Sequence, residues 1–209
     1  MHTWNIESAF PNSRLPGPAT VQAKAKVKAR TEAAVQVRAS READLPSVAA
    51  IYAHHVLTGL ASFETEAPTE AEMRRRRADV LARGLPYFVA ERGGEVVGFA
   101  YAVPYRERPA YRFTVEDSVY VHPDHVGHGV GVTLLAVLIS ACERAGCRQM
   151  IAVIGDSDNH ASIKLHERCG FALAGLLPSS GFKFGRWVDS VLMQRAIGKG
   201  DATLPAEKA

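Results

Sequence analysis

The sequence predicts an α+β domain with one parallel crossover near its centre. Short apolar runs with period-two alternation, flanked by turn residues, alternate with longer runs of helical spacing. Their order is strand, helix, helix, three-strand meander, helix, strand, helix and two strands. The helix between the third meander strand and the next strand can join parallel neighbours, which puts that crossover in the centre of the chain.

Order is expected to begin near Val35, because Val35, Val37 and Ala39 alternate with polar residues. Asp44 to Leu57 carries Leu45, Val48, Ile51, Tyr52 and Val56 on one helical stripe, and Gly59 stops it. Thr69 and Glu72 have capping-box spacing and open a second helix, which runs through Arg74–Arg77 to Arg83 before Gly84. The arginine run reads as a solvated helix face. Tyr87–Glu91 and Glu95–Val103 flank a Gly93-Gly94 turn and form a hairpin. A loop follows to Ala110, then a strand from Arg112 to Val121 and a loop from His122 to Gly129. Val130–Ala145 is helical, with Leu134, Leu135, Leu138 and Ile139 facing a core. Arg148–Ile154 is a buried strand, His160–Cys169 a short helix ended by Gly170, and Phe171–Leu177 and Trp187–Arg195 are the closing strands. No internal repeat is visible.

Composition excludes several classes of function. At 47% hydrophobic and 22% charged, the 209 residues can bury a full core. The three cysteines, Cys142, Cys147 and Cys169, form no CxxC pair, so a disulfide framework is not expected and the default setting is cytoplasmic. The longest apolar run, Val130–Cys142, is too short to span a bilayer, and the N-terminus has no secretory apolar stretch, so no membrane partner is expected. The net charge of +3 sits entirely in residues 1–34, which hold five basic and two acidic side chains. The remainder is neutral, which removes the compositional case for a nucleic-acid partner. Residues 1–34 are proline-rich and basic and are expected to form a disordered extension; a targeting segment or a misplaced start would look the same. The domain is expected to span 35–197, with a flexible tail over 198–209.

The chemistry centres on Gly127, Gly129 and Gly131, which alternate between an apolar strand and a long helix. Without side chains, backbone N–H groups can approach an anion, and the helix N-terminus adds the positive end of its dipole. No GK[ST] follows, so this is not a Walker A loop, and Val132 stands where a dinucleotide fingerprint needs its third glycine. His122, His125 and His128 recur every third residue, but Pro123 and the glycines make the segment a loop, so no metal site is expected.

The stretch SVYVHPDHVGHGVGVTLL resembles the acetyl-CoA motif of the GNAT N-acetyltransferase superfamily, [QR]xxGx[GA], with Gly129 and Gly131 as its glycines and Val126 at the Gln/Arg position, a departure. YRFTVEDSVYV, IAVIGDSDNHASIKLHERCGF and GFKFGRWVD are similar to the phosphinothricin and methionine sulfoximine acetyltransferase branch, over about Val35 to Arg195. The resemblance implies a three-layer α/β fold, with a mostly antiparallel central sheet splayed at the acetyl-CoA site and helices on both faces. It implies acetyl-CoA as co-substrate, no metal, a small amino-acid acceptor and a homodimer.

It also implies roles. Glu116 matches the general base in TxE, and His166 the active-site histidine. Val119, Tyr120 and Val121 would meet the pantetheine arm, with the Val121 N–H donating to the thioester oxygen. Gly127, His128, Gly129, Val130, Gly131 and Val132 would hold the pyrophosphate. Asn159, Ser162 and His166 would line the CoA arm. Arg106 and Arg112, with Arg108 secondary, match acceptor-carboxylate positions, and Phe63 and Tyr111 would supply an apolar wall. Other readings are a different amine acceptor (polyamine, aminoglycoside or protein N-terminus), a non-catalytic acyl-CoA sensor, and RNA binding by the basic extension.

Overall fold

The computed structural model describes residues 34–205. Residues 1–33 of the expected basic extension, and 206–209 of the expected tail, lie outside the described residues. A single seven-stranded sheet forms the middle layer, in the order β1-β2-β3-β4-β5-β7-β6. Its strands are β1 (Gln36–Ala39), β2 (Tyr87–Arg92), β3 (Glu95–Pro104), β4 (Thr114–Val121), β5 (Gln149–Gly155), β6 (Ala172–Lys183) and β7 (Arg186–Ala196). The helices are α1 (Leu45–Thr58), α2 (Glu70–Ala82), α3 (Val130–Arg144) and α4 (His160–Arg168). All neighbouring strands are antiparallel except β4 and β5, which α3 connects as a parallel crossover.

Two cores sandwich the sheet. On one face, α3 buries Val130, Leu134, Leu135, Leu138, Ile139 and Cys142 against Ala90, Ala100, Ala102, Val115, Met150 and Ala152. On the other, Leu45, Val48, Ile51, Tyr52 and Val56 of α1 meet Met73 and Val80 of α2 over Tyr87, Val89 and Phe99. The pleat allocates these side chains: Val89 and Ala90 are sequence neighbours and serve opposite cores.

The expected elements are all present, with two main differences of extent and one of capping. β4 starts at Thr114 rather than Arg112, because Pro109–Tyr111 closes a 3-10 turn first. β6 runs on past Leu177 to Lys183, through Pro178, Ser179, Ser180 and Gly181. That polar stretch reads as a loop, but β6 is an edge strand, where proline costs no ladder bond, and the register shift between Leu177 and Gly181 absorbs the irregularity. At α2, the Thr69 hydroxyl accepts from the Glu72 N–H at 3.2 Å, while the Glu72 carboxylate bonds Arg75 and Arg76 instead of completing a capping box. Of the arginine run, Arg74 and Arg75 pair with surface carboxylates, whereas Arg76 reaches Glu64 and Arg77 reaches Ser40. Past β7, Arg148 donates to the carbonyls of Thr203 and Leu204 and to the Thr203 hydroxyl. Among the described residues, no helix is long and apolar enough to cross a membrane.

Candidate active site

β4 and β5 pair over only three positions: Thr114 with Gln149, Val115 with Met150 and Glu116 with Ile151. Beyond Glu116 the strands part. β4 continues to Val121 against β3, and β5 continues to Gly155 against β7. Their inner edges then face each other across a cleft of about 310 Å³. Glu116 stands at its apex, Val119 and Tyr120 on one lip, and Val153 and Gly155 on the other. Asn159, Ser162 and His166 of the α4 segment, and Phe63 of the loop after α1, complete the lining.

Each lip is held by side chains from elsewhere. His55 of α1 bonds the Val121 carbonyl through Nε2 at 2.8 Å, and because a carbonyl only accepts, Nε2 carries the proton. Burial lowers the His55 pKa, so the ring is neutral. Tyr52 donates to Glu64 at 2.8 Å and stands edge-on to Tyr120, with ring centroids 4.9 Å apart. Burial pushes the Tyr52 phenol up to about 12. At the other lip, Asn159 caps α4 by accepting from the Ser162 N–H and bonds the Gly155 carbonyl through Nδ2. Lys183, 3% exposed, donates to the carbonyls of Gly59 at 2.9 Å and Ser62 at 2.7 Å, tying β6 to the loop that carries Phe63. The Phe63 ring lies against Gly155 and Gly181, where a Cβ would overlap it or its loop.

Glu116 and Asp117 are neighbours, yet the pleat sends them apart. Glu116 is half-buried in the cleft; burial first, and the nearby Asp117 charge second, raise its pKa above the usual carboxylate range, with Arg106 opposing. Asp117 is buried on the other face and accepts from His166 Nε2 at 3.1 Å. His166 Nδ1 bonds the Ser162 carbonyl at 2.7 Å. Both partners are acceptors, so both ring nitrogens carry protons and the imidazole is cationic. Burial alone would lower its pKa, but the Asp117 hydrogen bond and charge, with the Ser162 carbonyl, outweigh that and raise it.

At the cleft's far end, Gly127 (φ 81°) and Gly129 (φ 79°) take left-handed conformations that disfavour any side chain. A Cβ at either would meet nothing within 4 Å, so the space in front is open. Gly129 caps α3 without a side chain, leaving the first-turn N–H groups free of any side-chain cap. Open space, bare N–H groups and a helix dipole fit a pyrophosphate.

Residues 49–171 match the acetyltransferase (GNAT) family. The chain belongs to the GNAT acetyltransferase family. Over 172 residues it is 60% identical to a phosphinothricin N-acetyltransferase of Alcaligenes faecalis, covering 82% of this chain and 87% of that one. It is 41% identical over 160 residues to an L-methionine sulfoximine/L-methionine sulfone acetyltransferase of Pseudomonas paraeruginosa, covering 76% and 92%. Among solved structures, a phosphinothricin acetyltransferase from Sinorhizobium meliloti in complex with AcCoA superposes with a TM-score of 0.80 at 46% identity, covering 83% of this chain and 94% of that one.

In this acetyltransferase, the cleft brings together Phe63, Glu116, Val119, Tyr120, Asn159, Ser162 and His166 of the residues singled out from sequence. Val121 ends the same lip, and 127–132 lie beyond it. Arg106 stacks over the Tyr105 ring at 4.9 Å and acts electrostatically on Glu116. Arg112 is not brought to the cleft. It packs on Phe113 and faces a separate hollow with Arg83 and Arg144, because the 3-10 turn at Pro109–Tyr111 rotates it away. Tyr111 likewise lines a neighbouring hollow with Tyr105, Ile151 and Leu192. His55, Lys183 and Asp117 went unassigned in the sequence. The available signal was a polar residue inside an apolar pattern: His55 lies between Tyr52 and Val56 on α1, and Asp117 alternates with Val115 and Val119 on β4, whereas Lys183 carries no such mark.

The raised His166 pKa has a sign that can be tested. A pKa above its unfolded value stabilises the fold fully below the unfolded pKa, and the gain is lost as pH rises through the folded value. Asp117→Asn is expected to cost about 3–5 kcal/mol by urea unfolding at pH 6, and less at alkaline pH. An equal cost at pH 6 and pH 9 would exclude the ion pair.

Proposed function

We propose that this chain transfers the acetyl group of acetyl-CoA to the α-amino group of a small amino acid with an oxygen-rich side chain, of the phosphinothricin, methionine sulfoximine or methionine sulfone type. The observation that carries the reading is a half-buried carboxyl of raised pKa, Glu116, at the last residue pair before β4 and β5 separate. The names of the relatives at 60% and 41% identity support the acceptor class. In this reading residues 35–197 are the transferase domain.

Bound acetyl-CoA would supply the acetyl group as a thioester: the C–N bond forms as the C–S bond breaks, and CoA leaves as the thiol with the second proton of the acceptor amine. The glycine loop and the N-terminus of α3 hold the pyrophosphate. The unpaired edge of β4 from Val119 to Val121 meets the pantetheine arm, and the Val121 N–H donates to the thioester oxygen. Asn159 and Ser162 line the arm. Glu116 takes the proton that the acceptor ammonium must lose, directly or through a water. Arg106 pairs with the acceptor carboxylate, and Phe63, fixed by the Lys183 clamp, covers its apolar part. His166, already doubly hydrogen-bonded as a cation, acts by positioning α4 rather than by moving protons.

A thiol-release assay with acetyl-CoA against amino-acid analogues and polyamines tests the acceptor. Turnover of the sulfoximine, sulfone or phosphinate analogues is expected; turnover of polyamines alone would refute the reading, and CoA binding with no turnover at all would favour a sensor. Glu116→Gln is expected to lower kcat by about 100-fold or more with CoA affinity nearly unchanged. In the parent protein kcat/KM is expected to fall as pH drops through the raised Glu116 pKa, because only the carboxylate can accept a proton. That acid limb should vanish in the variant, and its survival would remove Glu116 as base.

We infer also that the chain is cytoplasmic and pairs with a second copy through β6 and β7. The three cysteines are buried and none is joined in a disulfide, which suits a reducing compartment. Leu173, Leu176, Leu177, Phe182, Phe184 and Trp187 are exposed along the β6 edge, Trp187 by 64%, a patch of the kind that marks association. Light scattering is expected to give the mass of two chains, and of one chain for a Phe182→Glu, Trp187→Glu double variant. A single-chain mass for the parent would overturn the pairing.

A further inference from the structure

From His122 through Glu143, the loop and nearly all of α3 contain no lysine or arginine; the first cation is Arg144 at the helix's far end. A pyrophosphate there would find only backbone dipoles and imidazoles from its own segment. A fixed cation comes instead from the sheet.

Arg92 is the last residue of β2. Period-two alternation turns it, with Phe88 and Ala90, toward the α3 core, while Glu91 turns to the α1 face and meets Arg38. Arg92 is only 7% exposed. Its Nη2 donates to the His128 carbonyl at 3.3 Å, between the two left-handed glycines of the loop. Its Nε and Nη1 are buried with no hydrogen-bond partner, and so is Nδ1 of His125 in the same loop. A buried guanidinium with two unpartnered nitrogens is unfavourable unless its charge is answered. The open side of the loop is where an anion would answer it.

We propose that Arg92 is a positioning residue for the pyrophosphate of CoA: it braces the His128 carbonyl so that the loop N–H groups face the phosphates, and it supplies a fixed positive charge from beneath the loop. His125 does not share that task. Burial, then the Arg92 charge, lowers its pKa and keeps it neutral. Val126, 54% exposed, contributes no charge to the loop. The cation thus reaches the loop from a strand 36 residues earlier in the chain.

This inference rests on the acetyl-CoA reading, and the test separates the two. Dissociation constants for CoA are measured by calorimetry at low and moderate salt for the parent, Arg92→Met and Arg92→Lys. Arg92→Met is expected to weaken CoA about tenfold or more and to flatten the salt dependence, whereas Arg92→Lys stays within about threefold of the parent. Arg92→Met is also expected to raise KM for acetyl-CoA far more than it lowers kcat. With S-acetylpantetheine, an acetyl donor lacking the pyrophosphate, its kcat/KM should match the parent's. Unchanged CoA affinity in Arg92→Met, or an equal loss with S-acetylpantetheine, would overturn the proposal, as would a lysine variant as weak as the methionine one. A parent protein that binds no CoA would instead overturn the acetyl-CoA reading.

Discussion

Three residue pairs of parallel ladder join β4 to β5, and the geometry of the cleft follows from where that ladder ends. Strand twist accumulates along both strands, but each keeps an antiparallel partner on its outer side, so the strands can separate without losing those bonds. The inner edges are left with unpaired backbone groups in a place where a ligand rather than solvent can meet them. The surrounding elements stabilise that opening. His55 and Tyr52 hold the β4 lip from α1, and Asn159 holds the β5 lip from the start of α4. Lys183 fixes the loop that bears Phe63. The helices thus keep apart two strands that would otherwise continue pairing.

The pleat also divides the charges. Glu116 and Asp117 are adjacent carboxyls, and alternation turns one into the cleft and the other into the core. Asp117 is compensated at once by the His166 cation, a pair whose buried charges answer each other. Glu116 has no such partner. It keeps the cost of burial and the repulsion of Asp117, which together raise its pKa and suit the proton-accepting role proposed for it. At the cleft's other end the signs reverse: bare N–H groups, the α3 dipole and the buried Arg92 guanidinium make a region that favours anions. The cleft thereby has a half-buried carboxyl of raised pKa at one end and a positively polarised loop at the other.

Much of the fold was legible because its signals are local. The stripe of α3, the Gly93-Gly94 turn, the Thr69 cap and the glycine alternation at 127–131 are each written within a few residues of the structure they specify. β6 was read short because Pro178, Ser179 and Ser180 carry loop chemistry, and only its edge position makes them compatible with a strand. Arg106 and Arg112 show the same limit at the site. Both are arginines in one short segment, and a single 3-10 turn leaves one acting on Glu116 and the other in a different hollow.

By itself the sequence determined the order of elements, the glycine loop ahead of α3 and, through its resemblance, the acetyltransferase family. Those are properties of periodicity and of contiguous motifs. Only the tertiary structure decided which distant side chains meet around the cleft and the glycine loop: His55 on Val121, Asp117 on His166, Lys183 on Gly59 and Ser62, and Arg92 on His128. These pairs are separated by 66, 49, 124 or 121, and 36 residues. No local pattern encodes them, because each contact exists only once the sheet order has brought its two strands or helices side by side.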